Sequence, residues 1–419
     1  MARKLDVYLG PTVVGTLEQT DTGKLRFRYA AAWIEHPDRL ALSQSLPIRA
    51  PVFNDRESRP FFAGLLPEAD KRALVAKALG ISKRNDFAML DRIGGECAGA
   101  ISLLHAGEAP PLPTAENYRP LDEDELSKIL EELHERPLLA GEDGIRLSLA
   151  GAQEKIPLLL AKKRIALPLQ GVPSSHILKP SISRFAGIVA NEDFCLRLAR
   201  AAGLPAANAE IGRAKKKSYL LVERYDRQRD AHGALQRIHQ EDFCQALGVP
   251  PEFKYQSEGG PTLKVCFALV RRVVARPVVD LARLLDAVIF NLLIGNNDAH
   301  GKNFSFLYSS NGATLAPLYD LSSTVAYPAL STTMAMKVGG ADRFDKLTPR
   351  HWEQFAIDAG LGPAQVRQRV IHLARSMPGL AHDVRSSLAP AKDDAAVLDS
   401  VVSTIENRAE NLLHGNEHP

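Results

Sequence analysis

Between Gly295 and Tyr308 the chain reads GNNDAHGKNFSFLY, and the next carboxylate is Asp320. Asp298 and Asn303 stand in an Asp-x4-Asn spacing, with His300 and Lys302 between them. One carboxylate can accept the proton of an attacking hydroxyl, while an amide oxygen and a second carboxylate can hold Mg²⁺ against a triphosphate. The chemistry these types suggest is phosphoryl transfer from ATP. Asp298 is the base candidate, and Asn303 and Asp320 are the metal-ligand candidates. A blander reading is an Asx-rich turn ending a helix, because Asn and Asp readily satisfy backbone groups there.

Phosphoryl transfer also needs a cation for the α and β phosphates and a backbone cradle. Lys179 ends the strand-like run SHILKP, and Glu192 lies on the helix that follows, so an ion pair between them is a candidate. A lone strand lysine is commonly solvated, and Glu192 could face water. The cradle candidate is SLAGAQEK, where Ser148, Ala150, Gly151 and Ala152 sit between two strand-like runs and Gly151 lets the backbone approach a phosphate. Asp-x4-Asn, then a hairpin, then Asp is the order of the protein-kinase catalytic and metal-binding segments. A Walker A loop is excluded, since five residues separate Gly295 from Gly301 and Asn303 replaces the Ser or Thr. No GxSxG elbow is present.

The elements that must position these groups follow from periodicity. Leu281–Ile294 is apolar on nearly every face and predicts a buried helix delivering its chain into the Asn-Asn-Asp loop. FSFLY and TLAPL around SSNG predict a hairpin, with Asn311 and Gly312 at positive φ, that brings Asp298, Asn303 and Asp320 to one end. Upstream, IRLSL, KIPLLL, RIALPL and SHILKP read as strands, with LAKKR closing a hairpin, and two more strands follow around Ala209 and Ser218–Val222. A helix is expected from Ala186 to a stop at Gly203, and mostly helices beyond Tyr225. Thr348-Pro349 marks one helix start, as a capping donor followed by a first-turn proline. Residues 1–106 read as a small α/β subdomain with strands at Leu5–Leu9 and Lys24–Tyr29 and a helix at Glu68–Leu79. GEAPPLPTAENYRP (107–120) reads as a linker, 121–225 as a small lobe, and 226–419 as a helical lobe. The fold class is α+β.

Composition restricts the alternatives. The 419 residues are 45% hydrophobic and 24% charged with a formal charge of +3, which excludes a disordered chain and gives no field strong enough to argue for nucleic acid. Four dispersed cysteines, without CxxC or HExxH, read as buried thiols and not as a zinc site. The start MARKLDVYLG lacks the apolar block of a signal peptide, and no run suggests a membrane span, so the expected location is the cytoplasm.

Taken together, SLAGAQEK, HILKP, ANEDF, LVERYDR, HQEDFCQALG, GNNDAHGKNFSFLY, YDLSST and AMKVGG resemble the HipA family of bacterial serine/threonine kinases, toxins of type II toxin–antitoxin pairs. FFAGLLPE and IGGECAGA resemble that family's N-terminal subdomain. The resemblance implies a protein-kinase-like bilobal fold, with Asp298 as base, Asn303 and Asp320 on Mg²⁺, and Lys179 on ATP phosphates. It also implies a hinge at Glu223 and Tyr225 that holds adenine through backbone groups, and autophosphorylation at Ser148. Implied partners are a HipB-like helix-turn-helix antitoxin, operator DNA reached through it, and glutamyl-tRNA synthetase as substrate. Like the family, the chain has no HRD and no DFG, and Asn297 stands where a small hydroxyl residue is expected. Two other readings remain: a catalytically silent antitoxin-binding module, and a small-molecule phosphotransferase.

Overall fold

In Leu25–Tyr29 the side chains of Leu25, Phe27 and Tyr29 are buried while Arg26 and Arg28 face water, the alternation of a half-buried strand. In the computed structural model, which describes residues 3–417, this strand is followed in an antiparallel sheet by Thr12–Gln19, Arg3–Leu9 and Ile101–His105. Helices Asp55–Ala63, Ala69–Leu79 and Asp86–Ile93 accompany the sheet, the second being the helix expected at 68–79.

The chain forms two compact units. The first takes the residues up to Pro180, Gly212–Glu252 and Leu307–Ser309, and the second takes Ser181–Ile211, Phe253–Phe306 and Ser310 onward.

The first unit adds a second sheet, ordered Tyr118–Pro120, Arg164–Pro168, Ile156–Ala161, His176–Pro180, Lys217–Glu223 and Ala209–Ala214, the last strand entering the unit at Gly212. Lys162 and Lys163 close the expected hairpin, both at positive φ (48° and 65°), the twist that two-residue hairpin loops favour. Three expectations need correction here. The stretch 107–120 is not linker throughout, because Tyr118–Pro120 pairs with Ala166–Pro168 as an edge strand, where Pro120 is tolerated. IRLSL is not a strand: only Leu147 makes a bridge, to Glu96, and Leu147, Ser148 and Leu149 are all buried, so the run fills the core instead of alternating across a sheet. Beyond Tyr225 the chain first makes Arg227–Arg229, Leu235–Arg237 and His239–Asp242, and helix begins only at Phe243, capped by Asp242.

The second unit is built on Pro277–Ile294, whose buried set runs from Asp280 to Ile294 and is mostly apolar, as expected for a core helix. Helices Ile188–Ala201, Leu263–Val273, Pro349–Ala359, Pro363–Ser386 and Lys392–Glu417 complete it. Thr348 caps the third of these, with Pro349 at the first turn. Strands Ser305–Ser309 and Gly312–Leu315 form the expected hairpin, but of its two turn residues only Gly312 takes positive φ (96°). All four cysteines are buried thiols outside any disulfide. Among the described residues no helix is long and apolar enough to cross a membrane.

Candidate active site

The loop after the buried helix is organised by its own amides. Asn291, on the last turn of that helix, accepts from Asn296 Nδ2 (2.7 Å), and Asn296 Oδ1 in turn accepts from the Asp298 N–H (3.0 Å). The Asp298 carbonyl accepts from the His300 N–H (2.8 Å) and from Asn303 Nδ2 (3.3 Å). Asn296, Asn297, His300 and Lys302 are buried, whereas Asp298 is exposed. The arrangement presents one carboxylate to solvent on a loop whose N–H groups at Asn296, Asn297, Asp298, His300 and Asn303 are all bonded, a setting compatible with a general base. That Asn303 gives its donor end to the backbone leaves its oxygen as the end suited to a cation.

Asp320 is held from its neighbour. Tyr319 O–H donates to the Lys302 carbonyl (2.7 Å) and lies 2.6 Å from Ser305 Oγ, fastening the exit of the hairpin to the loop that carries Asn303. Asp320 itself adopts φ 51°, a left-handed conformation that Asp tolerates better than most residues and that marks constrained, often functional, positions. The segment after it is stitched in as well. Thr324 donates to the Gly295 carbonyl from both N–H (3.0 Å) and Oγ1 (3.1 Å), and Thr324 Oγ1 accepts from the Asn297 N–H (2.9 Å). Asn191 and Ser323 exchange two hydrogen bonds, Ser323 N–H to Asn191 Oδ1 (2.8 Å) and Asn191 Nδ2 to the Ser323 carbonyl (3.0 Å). Glu192 is therefore on a helix fixed to the Asp320 segment, and it is 2% exposed, so it does not face water.

Tyr255 escapes a reading by motif. Its O–H donates to Asp298 Oδ1 (2.8 Å), and its ring meets His300 edge-on at 5.3 Å. It is recruited by long-range ties, since the next residue's N–H donates to the Ala335 carbonyl (3.0 Å) and the Ala335 N–H donates to the Asn297 carbonyl (2.8 Å). Tyr255→Phe is expected to slow the reaction about tenfold, with the apparent affinity for nucleotide unchanged, in steady-state assays of the full chain.

The first unit holds the other candidates: Ser148, Ala150, Gly151, Ala152, Lys179, Glu223 and Tyr225. Ser148 is fully buried and its Oγ donates to the Leu65 carbonyl (2.8 Å). Gly151 sits at φ 108°, a conformation closed to L side chains. Lys179, paired with Leu220 across the sheet, is 4% exposed and is not a solvated lysine. Lys179 belongs to the first unit and Glu192 to the second, so neither unit alone contains the expected ion pair.

Glu223 and Tyr225 bracket a buried charge cluster that composition gives no hint of. Glu96, from the Gly-rich stretch, accepts from Arg224 (3.0 Å), Arg227 (2.7 Å), Arg237 (2.5 Å) and from both N–H and Oγ of Ser174. Asp226 pairs with Arg224 (2.8 Å) and accepts from the Gly99 N–H (2.6 Å). Burial alone would raise the Glu96 pKa, yet the three guanidinium groups hold it down at about 2. Gly99, at φ 71°, is needed here because a Cβ would stand 2.8 Å from the Gln240 nitrogen. The Gly-rich stretch is thus a seam that ties the N-terminal subdomain to the ERYDR segment.

The sequence profile of the HipA-like C-terminal domain matches residues 147–380, and that of the HipA N-terminal domain matches residues 5–104. The chain belongs to the HipA family. Among HipA-family relatives, Y4mE of Sinorhizobium fredii, a candidate kinase by name, is 50% identical over 97% of this chain and 98% of its own length. The serine/threonine-protein kinase toxin HipA of Shewanella oneidensis is 30% identical over 94% of this chain and 92% of its own. The Shewanella HipA structure, solved with HipB and operator DNA, superposes with a TM-score of 0.87 at 28% identity, covering 99% of this chain and 98% of that one. The HipA fold, with mixed helices and sheets, is therefore the fold of this chain.

Among the described residues no three His, Cys, Asp or Glu side chains cluster as a metal cage. A kinase-type Mg²⁺ site needs no such cage, because an Asn and an Asp suffice alongside phosphate oxygens. Asn303 and Asp320 carry the donor types, an amide oxygen and a carboxylate, that such a site uses.

Proposed function

We propose that this HipA-family chain is an ATP- and Mg²⁺-dependent serine/threonine-protein kinase acting as the toxin of a toxin–antitoxin pair. Asp298 accepts the proton of the acceptor hydroxyl. Asn303 and Asp320 hold Mg²⁺, which when bound neutralises charge on the transferring phosphate. Lys179 and the Ser148–Ala152 loop contact the nucleotide phosphates, His300 and Lys302 support the nucleotide from the catalytic loop, and Glu223 and Tyr225 supply the adenine hinge. By the family resemblance Ser148 is the autophosphorylation site, and a phosphoserine there would put about −1.5 to −2 charge where the triphosphate belongs, so that one excludes the other. The observation that carries the reading is the exposed Asp298 carboxylate, gripped by Tyr255 on a loop whose backbone also fixes Asn303.

The acceptor to test first is glutamyl-tRNA synthetase. A HipB-like helix-turn-helix antitoxin is the proposed partner and carries the operator-DNA contact, as the Shewanella complex of HipA, HipB and operator DNA suggests by analogy. The test is transfer of labelled phosphate from ATP in the presence of Mg²⁺. Label on the chain at Ser148, and on the synthetase, supports the reading. No transfer to any protein, with antitoxin binding intact, leaves the silent module instead. Asp320→Asn is expected to weaken Mg²⁺-dependent ATP binding at least tenfold in a fluorescence titration, while Ser148→Ala retains it. Unchanged affinity in Asp320→Asn would remove the metal role.

A further inference from the structure

The Ser148–Lys155 segment has no regular structure of its own, so its position depends on what fastens it. Among its ties are some made by backbone groups or by Ser148 itself. Ser148 N–H donates to the Glu96 carbonyl (2.9 Å), Ser148 Oγ donates to the Leu65 carbonyl (2.8 Å), and the Glu68 N–H donates to the Gly151 carbonyl (3.2 Å) beside a bridge from Pro67. Another is an ion pair. Glu154 Oε1 accepts from Lys71 Nζ at 2.6 Å and from His134 Nδ1 at 3.0 Å. Lys71 stands on the first full turn of helix Ala69–Leu79, directly after the Leu65–Glu68 segment that makes the other ties.

The burial of this pair decides how much it is worth. The Lys71 and Glu154 side chains are only 15% and 9% exposed, whereas His134 is 78% exposed. A shielded pair at this distance escapes most solvent screening, so Lys71 and not His134 is the principal partner. We infer that Lys71 and Glu154 are positioning residues that keep the Ser148–Ala152 loop docked on the N-terminal subdomain, and that releasing them frees Ser148 for modification while loosening the hold on nucleotide. The second half follows from Ser148's burial: a hydroxyl at 0% exposure, already donating to Leu65, cannot accept a phosphoryl group until the loop leaves. One pair of side chains then moves two activities in opposite directions. This rests on the reading above in which the loop contacts phosphates and Ser148 is modified.

The test uses the full chain as wild type, Lys71→Met, Lys71→Arg and Glu154→Gln. Lys71→Met keeps an apolar stem of similar length and removes only the charge. Amide hydrogen exchange at Ser148 and Glu68, whose N–H groups report the two backbone ties, is the first readout and needs no activity. Exchange about tenfold faster in Lys71→Met and Glu154→Gln, and near wild type in Lys71→Arg, is expected. In kinase assays the same variants should show a KM for ATP raised about three- to tenfold, kcat unchanged, and faster labelling of Ser148. A general loss of structure would lower both activities together and would not be rescued by arginine. Exchange at both amides unchanged in Lys71→Met and Glu154→Gln overturns the inference whatever the kinetics. Faster exchange with KM and Ser148 labelling both unaltered upholds the latch and counts against the loop's role in binding phosphate.

Discussion

Asparagine in place of Asp298 is expected to lower phosphoryl transfer by about 10²–10⁴-fold, the usual worth of a general base, and to leave the fold and ATP binding intact. The loop explains why the effect should be confined to chemistry. Its shape is set by the Asn296 side chain on the Asp298 N–H and by two donors on the Asp298 carbonyl, none of which involves the carboxylate. Tyr255 O–H can donate to an amide oxygen as it does to Asp298 Oδ1, so the isosteric variant keeps that contact as well. What is lost is the capacity to take a proton. Single-turnover transfer of labelled phosphate at saturating ATP measures this directly, and a variant retaining more than a tenth of the wild-type rate would show that Asp298 is not the base.

The largest effect on stability is expected at Glu96. Glu96→Gln would leave Arg224, Arg227 and Arg237 around a neutral amide, with Asp226 as the remaining carboxylate of the cluster. Removing one partner from a buried ionic network costs about 3–5 kcal/mol, because the charges left behind are neither solvated nor matched. The pH dependence has a definite sign. Glu96 titrates at about 2 in the folded chain against an ordinary value of 4.5. Its contribution is therefore present above about pH 4.5 and disappears as the pH falls toward 2. Urea unfolding of wild type and Glu96→Gln should differ by several kcal/mol at neutral pH and converge in acid. A difference below about 1 kcal/mol at pH 7, or one that widens on acidification, would contradict the assignment. Because the network borders Glu223 and Tyr225, which are proposed to hold adenine, partial damage is also expected to raise the KM for ATP.

The parts of the molecule that sequence revealed are those written in consecutive residues. Asp298, His300, Lys302 and Asn303 lie in one loop, the apolar helix before it is visible from its pattern, and the hairpin turn is spelled by Asn311-Gly312. That Lys179 lies near the end of a strand was legible, although its burial was not, since nothing local distinguishes a covered lysine from a solvated one. IRLSL shows the limit of alternation: Ile145, Leu147 and Leu149 follow a strand rhythm, yet Ser148 between them is as buried as they are. Tyr255, Asn191 and Glu96 were illegible for a common reason. Each acts through partners far along the chain, Tyr255 on Asp298, Asn191 on Ser323, and Glu96 on three arginines beyond residue 220. No periodicity records such a pairing. For Glu96 the one available signal is the run of glycines around it, which announces close backbone approach without naming what approaches.

The left-handed backbone at Asp320 bears on how that position can tolerate change. Among L residues asparagine shares aspartate's ease in this region most closely, and glycine enters it at no steric cost. A saturation library at codon 320 should therefore separate into three tiers: asparagine, with geometry and an oxygen but no charge; glycine, with geometry alone; and the remaining replacements, alanine included, with neither. An alanine scan would merge conformational penalty with lost ligation at this codon, and the asparagine and glycine members are the pair that tells them apart.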